Sequence, residues 1–156
     1  MIVIQRPGTS PLEAEYLLID FEGTLASDRR VNPKAKDRIN LLAKRLKVTI
    51  FARSEREWVE SVLRKVKADI VYVPEGAAAQ GKLDLLKRLG REKAVAIGNG
   101  ADDIPVLQET ALGICILGRE GAAGGAFTKA DLVFTDILHA LDFLLKPLRQ
   151  KTTLGL

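Results

Sequence analysis

The chain has 156 residues, 47% of them apolar, which suits one domain with a sizeable core and leaves no room for a second catalytic domain. Its net charge of +4 is spread along the chain rather than gathered in a basic block, so it points away from nucleic acid and toward encounter with a small anion such as a phosphate ester. A single cysteine excludes an intrachain disulfide, and the start of the chain lacks signal-peptide character while no apolar run reaches membrane-spanning length; a cytoplasmic protein with no membrane partner is expected.

In chain order, residues 2–4 alternate weakly and are expected as an edge strand before the turn at Pro7 and Gly8. Apolar runs rich in branched residues at 16–20, 48–52, 70–73, 94–98, 113–117 and 132–135 are expected as strands. Between them, 34–46, 55–66, 81–89 and 102–110 carry apolar residues at the three- and four-residue spacing of helices that cover a sheet. A Gly- and Ala-rich stretch, 118–125, is expected as a loop leading into a short helix. The last helix, 137–148, sets Leu138, Leu141, Leu144 and Leu145 on one stripe and should stop near Pro147. Strand and helix alternate, and runs such as Leu17-Leu18-Ile19 and Val95-Ala96-Ile97 suit a sheet buried on both faces. The expected fold is therefore α/β, a three-layer, doubly wound, mainly parallel sheet, with residues 1–156 as one domain.

In such sheets ligands bind at the carboxyl ends of the strands, near the point where strand order reverses. The first core strand ends in Asp20-Phe21-Glu22-Gly23-Thr24, the second in Ala52-Arg53-Ser54-Glu55, and the fourth in Gly98-Asn99-Gly100-Ala101-Asp102-Asp103. A carboxylate at a rigid strand tip, followed by a Gly-containing turn, can approach phosphorus while turn amides take phosphate oxygens, and Asp20 is that carboxylate. Hard oxygens from Asp20, Asn99 and Asp103 suit Mg²⁺. Lys82, after Gly81 at an expected helix start, is the positive clamp for a transferring phosphoryl group. Glu22, two residues beyond Asp20, is placed to protonate a leaving oxygen and then activate water.

Asp20-Phe21-Glu22-Gly23-Thr24-Leu25 resembles the Asp-x-Asp-Gly-Thr-Leu signature of haloacid dehalogenase (HAD) superfamily phosphatases, and Gly98-Asn99-Gly100-Ala101-Asp102-Asp103 resembles their Gly-Asp-Gly-x-Asn-Asp loop, with Lys82 between them. The resemblance runs from about residue 14 to residue 146, and its closest form is the capless group called soluble P-type ATPase-like proteins, which resemble the phosphorylation core of ion pumps. It implies a HAD-like Rossmannoid fold and a Mg²⁺-dependent phosphohydrolase. Asp20 would be the nucleophile that forms an aspartyl phosphate, Glu22 a metal ligand through its backbone carbonyl, and Thr24 a phosphate contact. Lys82 would bind the phosphoryl group, while Asn99 and Asp103 would complete the Mg²⁺ site. The substrate would be a phosphorylated metabolite or nucleotide.

Three positions depart from that pattern. Glu22 replaces an Asp, Asn99 replaces an Asp and removes a charge from the metal site, and Ala52 stands where a hydroxyl is expected, leaving Ser54 or Arg53 to bind phosphate. They motivate an alternative: a catalytically weak or inactive HAD-fold regulatory or binding domain. A receiver-like signalling domain fits less well, because receivers place the acidic pair on the first strand. Neither usual cap insertion fits, since only about a dozen residues follow Thr24 before the helix near Lys36 and fewer precede Lys82. An open site implies a macromolecular substrate, a lid lent by a neighbouring subunit or low selectivity, and of these the homo-oligomer is favoured. Cys115, His139, Trp58 and Phe51 are read as structural.

Overall fold

The computed structural model describes all residues, Met1–Leu156. The chain opens with a hairpin of β1 (Ile2–Ile4) and β2 (Leu12–Ala14), antiparallel with Ile2 opposite Ala14. Residues 2–4 thus form a strand, but one that joins no strand of the main sheet. Ile2, Ile4, Leu12 and Ala14 are buried while Val3 and Glu13 face solvent, the one-sided alternation of a ribbon laid against a core.

There follow β3 (Tyr16–Asp20), a small hairpin of β4 (Ala26–Ser27) and β5 (Arg30–Val31), α1 (Pro33–Leu42), β6 (Lys47–Ala52), α2 (Arg56–Val62), β7 (Asp69–Tyr72), α3 (Ala78–Leu89), β8 (Ala94–Gly98), α4 (Ile104–Glu109), β9 (Leu112–Ile116), α5 (Gly124–Lys129), β10 (Leu132–Phe134), α6 (Ile137–Leu145) and α7 (Pro147–Leu154). Six strands form one parallel sheet in the order β10-β9-β8-β3-β6-β7. From β3 the chain winds outward through β6 and β7, then returns to the other side of β3 with β8 and winds outward again. The order reverses between β3 and β8, whose carboxyl ends therefore flank the crevice where ligands bind in this architecture.

Both faces of the sheet are covered. Leu17, Ile19, Val95 and Ile97 pack with Leu42 of α1, Val59 of α2 and Leu141 of α6, while Leu18, Ala96 and Cys115 pack with Leu86 of α3, Val106 of α4 and Ala126 of α5. This is the doubly wound α/β arrangement, and no cap domain is inserted: only the β4–β5 hairpin separates Asp20 from α1. No helix is long and apolar enough to cross a membrane.

Several element ends differ from expectation. α1 stops at Leu42 and α2 at Val62, because the next residues turn back toward β6 and β7. α3 begins at Ala78, so Lys82 lies in its second turn and not at the helix start; the dipole argument for its placement is replaced by the ion pairs described below. α6 ends before Pro147, as expected, but that proline opens a further helix in the first position, where its missing N–H costs nothing.

Candidate active site

Asp20 ends β3 and is 4% exposed. Its Oδ1 accepts from Lys82 Nζ at 2.8 Å, and its Oδ2 lies 3.3 Å from the Thr24 hydroxyl. Lys82, 1% exposed, reaches the strand ends from α3 and also donates to Asp103 Oδ1 at 2.8 Å and Asp102 Oδ2 at 3.0 Å. One ammonium thus bridges three carboxylates, whose oxygens lie within 4.8 Å of one another.

Asp103 is held from its other side, where Oδ2 accepts from the Asn99 and Gly100 amides, each at 3.0 Å. That turn demands glycine at 98, because a Cβ there would lie 2.4 Å from Asp103 Cγ. The loop after Asp20 demands glycine at 23, where φ is +79° and a Cβ would lie 2.5 Å from Asn99 Nδ2. Backbone bonds from Ala26 to Phe21 and from Gly23 to Ala26 fold the loop back toward the strand end.

Burial, followed by the nearby Asp103 charge, holds the Asp20 carboxyl well above the usual carboxylate range, against the opposing pull of Lys82. Burial also opposes the charge on Lys82, but Asp20 and Asp103 outweigh it and hold the ammonium above the ordinary lysine range. A cluster of three acids around one base is over-supplied with negative charge, which is the condition a divalent cation relieves. The donor set, hard carboxylate oxygens from Asp20, Asp102 and Asp103, fits Mg²⁺.

The expected site residues divide into groups. Asp20, Lys82, Asp103 and Thr24 converge. Asn99 is adjacent but differently engaged: its Oδ1 is 3.0 Å from the Thr24 hydroxyl and its Nδ2 donates to the Gly121 carbonyl at 3.0 Å, so it ties the first loop to the loop after β9. The Glu22 carboxylate accepts from the amides of Arg53 (3.1 Å) and Ser54 (3.0 Å) and from the Ser54 hydroxyl (2.8 Å). Two amides and a hydroxyl at the end of β6 form a small anion-binding nest, and Glu22 fills it. The Ser54 hydroxyl, expected on phosphate, is therefore spent on Glu22.

Asp102 was not among the expected ligands. It sits in a 3₁₀ turn, Ala101–Asp103, whose tightness brings two consecutive carboxylates to one ammonium, with Arg53 Nη1 at 4.0 Å. The Asp-Asp pair was the available signal, but choosing between its members needs the turn type. The residues read as structural are placed in line with that role. Cys115 is fully buried, Trp58 packs on Phe21 with ring centroids 5.4 Å apart, and exposed His139 pairs with Asp136 at 3.4 Å.

No protein-family model matches the chain. An uncharacterized protein of Methanocaldococcus jannaschii, MJ0073, is 42% identical over 82 residues, which is 50% of this chain and 88% of that protein. Solved structures share the fold at low identity. A HAD family hydrolase from Streptomyces avermitilis, so far assigned by its family, superposes with a TM-score of 0.68 at 19% identity over 85% of this chain and 84% of that one. The 3-deoxy-D-manno-octulosonate 8-phosphate phosphatase of Moraxella catarrhalis, solved with magnesium, phosphate and the sugar acid, gives 0.71 at 12% over 92% and 91%. The cobalt-bound phosphatase of the same specificity from Haemophilus influenzae gives 0.70 at 12% over 92% and 91%.

Proposed function

We propose, from the premise that the chain belongs to the same family as the M. jannaschii protein MJ0073 and carries the fold of HAD-family hydrolases, that it is a Mg²⁺-dependent phosphohydrolase acting through an aspartyl phosphate on Asp20. The observation that carries this reading is the Asp20 carboxylate at the switch point, bridged by Lys82 to Asp102 and Asp103.

An Asp20 oxygen attacks phosphorus, the ester P–O bond breaks, and the departing oxygen takes a proton from Glu22. Water then attacks the same phosphorus, the bond to Asp20 breaks, and the water proton returns to Glu22, so that phosphate and alcohol leave and both carboxyls are restored. Lys82 holds the phosphoryl oxygens and offsets their charge, while the Thr24 hydroxyl and the amides of the turn orient them. Mg²⁺, held by Asp20, Asp103 and Asp102 with the Glu22 carbonyl as a further oxygen, would neutralise repulsion between the two anions. For its proton role the Glu22 carboxylate has to leave the Arg53–Ser54 nest, which then receives a phosphoryl oxygen.

A cytoplasmic protein with a small phosphorylated substrate accords with this reading. The finer likeness to the soluble P-type ATPase-like group belongs to the same reading, and Glu22 departs from it. A second reading, a weak or inactive regulatory domain, rests on the filled nest and on the engagement of Asn99 with Thr24 and Gly121.

Hydrolysis of p-nitrophenyl phosphate with and without Mg²⁺, in the wild type and in Asp20→Asn, separates the two. Metal-dependent turnover that disappears in the variant is expected. Turnover by neither protein, across a wider panel of phosphomonoesters, gives the second reading its place.

A further inference from the structure

Beside the acidic cluster lies a cleft of about 880 Å³, between the β4–β5 hairpin and the start of α6. Its size is that of pockets holding metabolite-sized ligands. It is lined by Gly23 and Thr24 of the loop that follows Asp20, so a phosphate ester seated on Asp20 has room for its organic part here.

The lining carries two arginines, Arg30 and Arg119, and two carboxylates, Asp28 and Asp136, and of the four only Arg30 has no ion-pair partner. Two of its carboxylates are engaged: Asp28 lies 3.7 Å from Arg119, and Asp136 caps α6 through the His139 amide at 2.9 Å and pairs with the His139 ring. Donors remain. The Arg30 guanidinium has no carboxylate partner, Arg119 has only that long exposed contact with Asp28, and the first amides of α6, on Ile137 and Leu138, donate to no acceptor in the chain. Ser27, at the hairpin, has a buried hydroxyl with no hydrogen-bond partner. Free donors and an unpaired guanidinium select an acceptor-rich, negatively charged group, and a planar carboxylate matches the fork of an arginine.

We infer that this cleft binds the leaving group of the substrate, and that Arg30 and Arg119 select phosphomonoesters bearing a second acidic group, a carboxylate. The inference rests on the phosphohydrolase reading for the position of the phosphate, and it assigns Arg30 and Arg119 as specificity residues that take no part in bond breaking.

The test compares two ligands of one skeleton, 3-phosphoglycerate and glycerol 3-phosphate, which differ by a carboxylate in place of a hydroxymethyl group. Their affinities are measured by calorimetry on the full chain carrying Asp20→Asn with excess Mg²⁺, alone and with Arg30→Gln and Arg119→Gln added. Phosphate release from both compounds by the wild type is followed in parallel. The expected result is binding of 3-phosphoglycerate about tenfold tighter, as one charge-assisted contact would give, with the preference erased by the arginine changes while glycerol 3-phosphate binding is kept. Equal affinities, binding of neither ligand, or a preference that survives both arginine changes overturns the inference. Absence of phosphate release with the binding preference intact overturns the hydrolase reading instead.

Discussion

A carboxylate that accepts from two backbone amides and a hydroxyl is anchored, and Glu22 is in that state. The extra methylene relative to aspartate lets it span from the β3 loop to the end of β6. Its proposed work as proton donor therefore begins with release from the nest, and the demand for a proton depends on the leaving group. Glu22→Gln keeps the shape and removes the titrating proton. The rate at which an alkyl phosphate phosphorylates Asp20 is expected to fall roughly 10²- to 10⁴-fold, with a much smaller loss for p-nitrophenyl phosphate, whose leaving group departs unprotonated, while the later attack of water, which also uses Glu22, slows for both. Single-turnover release of the two leaving groups checks this, and equal losses in that step would mean that Glu22 gives the leaving oxygen no proton. The positions of Asp20, Thr24 and Lys82 were legible because each is fixed by a motif at a strand end or by a single reachable lysine. The partners of Glu22, Asn99 and Ser54 were not, because a side chain of ordinary length at a loop has several donors within reach and only the folded loops choose among them.

At the scale of elements, the apolar runs located all six sheet strands, since runs of four or five residues rich in branched side chains are too short for helices. Helix ends were less legible, and the end of α6 shows why. Its last carbonyls need partners, and Gln150, in the first turns of the following helix, is buried with Nε2 donating to the Phe143 carbonyl at 2.9 Å. The sequence signal, Pro147, marks a stop and a start equally well; only the glutamine four residues into the next helix tells that the chain turns and docks. Gln150→Ala should leave those carbonyls unpaired and cost about 1 kcal/mol or more. The expected signature is a lower urea midpoint with an unchanged slope, together with unchanged metal affinity, because the joint lies far from the strand ends that carry the acidic cluster. An unchanged midpoint would mean that water serves those carbonyls as well as the amide does.

For the whole molecule, the sheet delivers its acidic residues to one place and leaves the chain with an electrostatic load. Asp20, Asp102 and Asp103 are drawn around Lys82, and the Asp20 carboxyl is held above its ordinary value, first by burial and then by Asp103. The consequence for stability has a definite sign. With its folded pKa raised above the unfolded one, Asp20 holds a proton in the folded chain at pH values where the unfolded chain has released it. Its contribution to metal-free stability should therefore be greatest at acid pH and decline as pH rises from the ordinary value near 3.8 through the folded pKa, opposite in sign to the contribution of Asp142, whose pKa is lowered. Asp20→Asn keeps an oxygen for Lys82 and removes this load, so without metal at neutral pH the variant is expected to melt higher than the wild type, by about 2–4 °C for each kcal/mol relieved. Mg²⁺ should reverse the order: it binds the folded wild type and raises its melting point with concentration, by about 2.7 kcal/mol at a hundred times the dissociation constant, while the variant, with a neutral oxygen in place of a charged one, gains less. Melting curves in chelator and in graded Mg²⁺ therefore carry two independent checks. A variant that melts lower in chelator would show that Lys82 compensates the cluster fully, and parallel Mg²⁺ responses would remove Asp20 from the metal site.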